Sequence, residues 1–354
     1  MYPRLVVHTS QIIENSKLMV QIAKENHIDY VMGIVKVLAG HLDIANELAK
    51  TGWTHIGDSR IQNLKKLQSI PLPKVLVRLP MLSEIEDVIN YADISLNSEI
   101  ETIRQLNNIA RKKQRIHQII LMFDLGDLRE GLFFQSHYLE IVKEVLTFTN
   151  IHLIGIGTNL TCYGGLIPNQ EILQRLVTIK ETIETTLAYP LEIISGGNSS
   201  TVTLFGQHVI PSSINSLRLG ESIFFGKETS YSTYIKGFHH HNFVLEAQII
   251  EAQTKPSYPL GPTSINSFGE KVTIEDKGLM RRAILAIGKQ DVILEHLTPL
   301  DPDVHILGGS SDHMICDITN TTYQLGDVLS FRPNYPGLLY LMNSDYVHKV
   351  FKKK

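Results

Sequence analysis

A lysine set in an apolar run is the first residue of this chain whose position suggests chemistry. Lys36 interrupts GIVKVLAG, and a lysine at the end of a core strand is costly to bury unless it is paired or used. The plain reading is a side chain that reaches the rim to solvent. The functional reading is an amine whose pKa falls on desolvation, leaving a nucleophile that forms a Schiff base with a carbonyl compound. Two later segments, ISGGNSST (194–201) and LRLGESIFFG (217–226), place glycines and hydroxyl residues directly behind apolar runs. Backbone N–H groups in such turns suit a phosphate, although a Gly-Gly-Asn turn is also ordinary punctuation. Arg218 stands where a strand-end residue meets a ligand or, equally, a rim ion pair. In DLGDLREG (124–131), Arg129 either clamps a carboxylate through two parallel hydrogen bonds or joins Asp127 and Glu130 in a surface ion-pair cluster.

The elements that must position these residues alternate in type. DYVMGIVKV (29–37), THIGDS (54–59), KVLVRLP (74–80), ADISLNS (92–98), QRIHQIILMFDLG (114–126), IHLIGIGTNL (151–160), LEIISGG (191–197) and INSLRLGESIFFG (214–226) read as strands. Most are followed by stretches of helical spacing such as HLDIANELAKTG and EIETIRQLNNIARKK. Strands alternating with helices indicate a parallel sheet, and about eight such units fit a (β/α)8 barrel. An open doubly wound sheet is the alternative, and no G-x-G-x-x-G follows the first strand to support it. Chemistry in such a barrel sits at the C-terminal ends of the strands. A lysine on the first strand with two phosphate-competent turns on late strands suits a phosphate-bearing cofactor. From about residue 230 the pattern becomes β-rich, in HHNFVLEAQIIEAQ, RRAILAIG, DVHILGG, HMICDIT and DVLSFRP, with a helix expected in YLMNSDYVHKVF. The expected division is a TIM-like barrel over 1–228 and a smaller β-rich domain over 229–354.

Composition excludes several classes. The 354 residues are 43% hydrophobic and 19% charged, with net charge −3, so the core is ample and no polyanion-binding surface is indicated. Cys162 and Cys316 are the two cysteines, giving neither a disulfide framework nor a Cys-x-x-Cys metal site. The N-terminus lacks the apolar core of a signal peptide, and no run approaches the roughly 18 to 20 apolar residues of a membrane span. A cytoplasmic protein that binds neither nucleic acid nor membrane is expected.

Taken in order, RLVVHTSQIIEN, GDSRIQNL, RLPMLSEIEDV, ADISLNSE, SGGNSS, LRLGESIFFG and ILGGSSDHMI resemble the alanine racemase superfamily of fold-type III pyridoxal-phosphate enzymes, and its ornithine/alanine racemase branch in particular. The similarity runs over essentially the whole length. It implies pyridoxal 5'-phosphate held on Lys36, with Arg218 facing the pyridine nitrogen. Asn198, Ser199, Gly220 and Glu221 fall at the phosphate-holding turns, and Arg129 near the substrate carboxylate. Asp312 falls in a segment that reaches the partner's active site, implying a head-to-tail homodimer with shared sites and no metal.

This chain also departs from that pattern. The family's second-face base is a tyrosine in a Ser-Tyr-Gly segment, which here is Ser267-Phe268-Gly269, and phenylalanine transfers no proton. The tyrosine four residues after the cofactor lysine is Gly40, and the histidine near the ring falls at Asn159. Asp312 and His313 are the candidates for the second acid/base, with Tyr335 a phosphate or cleft contact. A related D-amino-acid lyase or aldolase would carry a His-x-Cys or His-x-Asp metal pair after a late Pro-Asn, where this chain has Pro333-Asn334-Tyr335-Pro336-Gly337. The run His239-His240-His241 reads as a solvated loop. A cofactor carrier without racemase activity leaves the second domain unexplained. Glu130, Asp127 or Asp312 is expected to receive the distal ammonium of a basic amino acid such as ornithine or lysine, with alanine as the other branch substrate.

Overall fold

The computed structural model describes residues 1–265, 268–269, 271 and 274–353. The chain divides into two units, Gln11–His240 and the pair of segments Met1–Ser10 and His241–Lys354.

In chain order, strand β1 (Arg4–His8) and helix α1 (Thr9–Glu25) precede β2 (Tyr30–Ile34), α2 (Leu42–Ala49), β3 (His55–Asp58), α3 (Ile61–Lys66), β4 (Lys74–Leu76), α4 (Ile85–Tyr91), β5 (Ile94–Asn97), α5 (Ile100–Lys112) and β6 (His117–Asp124). A two-residue strand β7 (Leu132–Phe133) leads to α6 (Tyr138–Val145), β8 (Ile151–Gly157), α7 (Gln170–Leu187), β9 (Ile193–Asn198), β10 (Ser216–Leu219) and α8 (Glu221–Phe225). Strands β2, β3, β4, β5, β6, β8, β9 and β10 pair in parallel, and β5 with β6 and β10 with β2 close the ring. This is the expected barrel, built from the eight expected strands. Its interior is filled by Met32, Ile34, Val75, Ile94, Leu96, Ile120, Met122, Ile154 and Ile193, a packed core of branched and sulfur side chains rather than a pore.

The helices follow from their periodicity. In α5 the buried positions are Ile103, Leu106, Asn107 and Ala110, with Glu101 in the first turn and Arg111 and Lys112 in the last, so one stripe packs inward and the charges complement the helix dipole. Helix α7 starts where the Asn169 side chain accepts from the Ile172 N–H at 2.9 Å, an N-cap that satisfies an otherwise orphaned donor.

The second unit is a sheet in the order β13 (Leu297–Pro299), β16 (Val328–Pro333), β11 (Phe243–Pro256), β12 (Leu279–Leu285), β15 (Met314–Asp317), β14 (His305–Gly309), with β1 and β17 (His348–Lys352) joined to it and helix α9 at Tyr335–Asn343. Strand β11 alternates buried and partly exposed residues along its first half, the pattern of a sheet with one face on a core. Leu5, Val7, Leu245, Ala247, Phe331, Leu338 and Leu341 are buried in it.

Three details differ from the sequence reading. Residues 1–10, expected with the barrel, pair as β1 with β11 (Arg4 opposite Glu246) and with β17 (Arg4 opposite His348). Residues 229–240, expected with the β-rich domain, group with the barrel. There the Glu228 carboxylate accepts from the N–H groups of Ser230, Tyr231 and Thr233, and Asn15 of α1 holds both backbone groups of His239 at 2.8 Å. The expected helix over YLMNSDYVHKVF ends at Asn343, and its second half becomes β17, because a parallel partner, β1, is available. His239 pairs with Glu14 at 2.7 Å, and no cluster of metal-ligating side chains occurs among the described residues. No described helix is long and apolar enough to cross a membrane.

Candidate active site

The C-terminal ends of the barrel strands bring most of the candidates together. Lys36 follows β2 in a single 3-10 turn, with Val37 and Leu38 buried beneath it and the lysine itself exposed. Its charge acts on Asp58 at the end of β3, on Cys162 in the loop after β8, and on Glu221 after β10. The amine therefore stands over the mouth of the barrel, ringed by acidic groups and a thiol from three separate strands.

Arg218 is buried within β10. It donates to Ser195 Oγ (2.6 Å), to the Thr158 carbonyl (2.5 Å) and to Asn159 Oδ1 (2.6 Å). All three acceptors are neutral. Burial without an ionic contact lowers its pKa to about 10, with Glu130 acting in the opposite direction. A charged guanidinium held on neutral oxygens keeps its attraction for a further acceptor.

The two glycine turns converge. Ser199 Oγ accepts from Gly220 N–H (3.3 Å) and Ser222 N–H (3.2 Å) and lies 3.1 Å from Ser222 Oγ. Two amides and two hydroxyls thus gather at one point, a donor set that suits an anion. The cradle is narrow: a Cβ on Gly220 would lie 3.0 Å from the Ile34 carbonyl, and Gly197, at φ +117°, would bring one to 2.7 Å of Thr201 Oγ1. The donor chemistry and the missing side chains fit a phosphate, and Lys36 and Arg218 fit the carbonyl and ring nitrogen of an attached pyridine. Asn198 is turned away from this point. Its amide donates to the Leu160 carbonyl (3.0 Å) and to Cys162 Sγ (3.2 Å), while its oxygen accepts from Ser200 N–H. The Glu221 carboxylate is held by Lys227 at 3.4 Å, and burial raises its pKa.

Arg129 is exposed in the loop after β6 and donates to Glu130 at 2.6 Å. Two acidic groups expected to receive a distal ammonium are already committed. Asp127 is buried, and its carboxylate takes the N–H groups of Cys162 (3.0 Å), Tyr163 (3.0 Å) and Leu166 (2.9 Å), so it builds the loop over 162–166. Glu130 takes the Asn159 amide as well as Arg129.

Asp312, His313 and Tyr335 belong to the other unit. The exposed Asp312 carboxylate accepts from Ser310 Oγ and Ser311 Oγ, and lies 3.1 Å from His313 Nδ1. The Ser311 hydroxyl and the neighbouring imidazole hold its pKa below the ordinary carboxylate value. Tyr335 opens α9, capped by the Asn334 side chain. Phe268 is partly exposed, whereas Ser267 lies outside the described residues.

Sequence reasoning gave Asp58 no role. Fully buried, it accepts from Arg60 N–H (2.9 Å) and from Asn63 Nδ2 (3.2 Å to each oxygen), and so ties α3 to the end of β3. Burial pushes its pKa up to about 6, while its backbone and Asn63 hydrogen bonds and Lys36 act in the opposite direction. The signal available in GDSRIQNL was an acidic residue at the last position of a strand.

Comparison with known proteins places this geometry. Residues 7–228 match the family model described as alanine racemase, N-terminal domain. The chain is 42% identical to ornithine racemase of Acetoanaerobium sticklandii and 37% identical to lysine racemase of Thermotoga maritima, each over 99% of both chains. Among solved structures it shares the fold of alanine racemase from Clostridium difficile 630 (TM-score 0.76, 17% identity, 99% and 96% covered). D-threonine aldolase from Filomicrobium marinum has the same fold (TM-score 0.72, 14% identity, 100% and 92% covered). The chain belongs to the alanine racemase family.

Proposed function

We propose that this protein is a pyridoxal-phosphate-dependent amino-acid racemase that interconverts the enantiomers of a basic amino acid, ornithine or lysine. The observation that carries the reading is the pairing at the barrel mouth of an exposed lysine with a buried arginine held only on neutral acceptors, beside a convergent set of phosphate donors. The two curated relatives, by name an ornithine and a lysine racemase, support the reaction and the substrate class.

Lys36 Nζ would hold the cofactor covalently, the Ser199, Gly220 and Ser222 donors its phosphate, and Arg218 its ring nitrogen, with Glu221 beside the phosphate turn and Asn198 bracing the loop after β8 behind it. When bound, the cofactor supplies an electron-withdrawing ring that takes up the charge left as the substrate's Cα proton departs. Arg218, which has donors and no acceptor, would hydrogen-bond the ring nitrogen and keep it from being protonated, disfavouring side reactions such as transamination. Arg129 binds the substrate carboxylate through its paired N–H groups. Lys36 Nζ exchanges the Cα proton on one face. On the other face Phe268 transfers none, and the Asp312–His313 pair takes that role. With Asp127 and Glu130 committed elsewhere, Asp312 is also the carboxylate left to attract a distal ammonium. The molecule would act as a cytoplasmic head-to-tail homodimer in which the β unit of one protomer completes its partner's site.

The test is α-proton exchange in deuterated buffer with the holoenzyme on L- and D-ornithine, lysine, alanine and serine, with chiral analysis of products. Exchange with inversion on the basic amino acids, lost together with cofactor absorbance in Lys36→Ala, is expected. Carbon–carbon cleavage or elimination products would instead indicate a lyase, and bound cofactor without exchange a carrier.

A further inference from the structure

We infer that Glu130 and Asn159 are positioning residues that link Arg218 and Arg129 into one electrostatic unit, so that a single carboxylate orients both the ring-nitrogen arginine and the carboxylate-binding arginine. This rests on the racemase reading above.

What each group is able to donate fixes the order of the chain. Arg218 has only donors, so Asn159 must present its oxygen to it, as it does at 2.6 Å. That leaves the Asn159 amide N–H groups facing Glu130, whose oxygen accepts from them. A donor on that side requires an acceptor in return, which an ionised Glu130 is. The same carboxylate accepts from Arg129 Nη2 at 2.6 Å and pairs with Arg129 Nε. The chain Arg218–Asn159–Glu130–Arg129 therefore runs from β10, across the second residue after β8, to the loop after β6, with each donor and acceptor assigned.

The loop end of the chain is anchored. Asp124 Oδ1, at the end of β6, accepts from Gly126 N–H (2.8 Å) and Leu128 N–H (3.1 Å). A Cβ on Gly131 would collide with the backbone of Asp124, so the residue after Glu130 lies flat against the strand end. Among the described residues no carboxylate touches Arg218 directly. Glu130 is the acidic group whose charge acts on it, and the Asn159 amide bridges the two. Cut the amide and Arg218 loses the contact that holds it in line with Glu130, while Arg129 keeps its own. Neutralise Glu130 and both arginines lose its charge.

That asymmetry is the test, made with Glu130→Gln, Asn159→Ala and the double variant. Two readouts use the holoenzyme: the KM and kcat of racemisation, and the pH titration of the cofactor's visible absorbance. Glu130→Gln is expected to raise KM about tenfold and to shift the absorbance titration. Asn159→Ala is expected to leave KM within about twofold while producing the same absorbance shift. In the double variant the shift should equal that of either single change rather than their sum, the mark of two groups in one chain. The isostere Asn159→Asp, which places a carboxylate directly on Arg218, should move the titration the opposite way and serves if Asn159→Ala folds poorly. Additive shifts, or an unchanged spectrum in Asn159→Ala, would overturn the relay.

A third readout is independent of the cofactor. The exposed Cys162 thiol is acted on by Arg129, Lys36, Asp127 and Glu130, whereas Cys316 is buried. In apoprotein, Glu130→Gln should move the alkylation profile of Cys162 to lower pH, and no movement would show that Glu130 does not face the mouth. If the protein takes up no cofactor at all, the racemase reading fails while this thiol readout still decides where Glu130 points.

Discussion

The two ends of the barrel use the same polar residue types differently. At the N-terminal floor the polar groups close within one β-unit or on the adjacent one. Lys74 Nζ donates to the Ile70 carbonyl (2.6 Å), Lys74 N–H to Asp93 (2.7 Å), and His55 Nδ1 lies 2.9 Å from Thr54 Oγ1. His117 Nε2 lies 2.8 Å from Ser95 Oγ, which also accepts from Asn97. At the C-terminal mouth the links run between residues far apart in sequence: Arg218 to Thr158 and Asn159, Asn198 to Cys162, Asp127 to the loop over 162–166. The floor satisfies its polar groups locally and leaves no charge to spend. The mouth is assembled from distant loops, and Lys36 and Arg129 remain exposed at its surface. Packing explains the first arrangement, and the second is the one expected at the end where such a barrel presents its chemistry.

The largest effect should come from breaking the mouth alone. Lys36→Ala is expected to lower turnover by roughly a thousandfold or more, with a thermal midpoint within about two degrees of the parent. A large fall in the midpoint would make Lys36 structural. Next is the wall between the ends, where Gly33 of β2 lies under Trp53 and a Cβ would sit inside the indole ring. Gly33→Ala should cost up to roughly 3 kcal/mol in urea unfolding, and the folded fraction should retain its KM.

At the floor, His117 reports through acid stability. Burial lowers its pKa from 6.5 to about 4. A base whose folded pKa is depressed contributes fully above its unfolded pKa, and that contribution is lost as pH falls from 6.5 through about 4. His117→Gln removes the titration, so the stability lost over that window should shrink by up to roughly 3 kcal/mol. Its kcat at neutral pH should be unchanged. An equally steep loss in the variant would place the titrating group elsewhere.

The same contrast explains what was legible in the sequence. The eight barrel strands could be read because each is a short apolar run bounded by turns, and Lys36 stood out because it breaks one. RLVVH could not be assigned, because a first barrel strand and a strand paired with β11 and β17, more than two hundred residues away, share one local pattern. YLMNSDYVHKVF failed for a related reason: its helical spacing was overridden by a partner strand. Asp127 looked like a carboxylate free to meet an ammonium, since composition does not distinguish an exposed acid from one enclosed by backbone amides. The bond between Asn159 and Glu130 joins two loops and has no signature in either.

The smallest expected effect tests whether the mouth is built to atomic fit, as the floor is. Gly220 is the N-cap of α8, with φ −140° and ψ −72°. What an added methyl meets is the Ile34 carbonyl at 3.0 Å, a contact a few tenths of an ångström too close, at the strand end that leads into Lys36. The backbone between Gly220 and Ser222 must then give slightly, and the two N–H groups aimed at Ser199 Oγ turn with it. Gly220→Ala is therefore expected to raise the cofactor dissociation constant several-fold, about 1 kcal/mol. The thermal midpoint of the apoprotein should stay within about two degrees of the parent. Should affinity hold while the midpoint falls, Gly220 is packing like Gly33, and the division between a mouth shaped for a ligand and a wall shaped for itself no longer passes through β10.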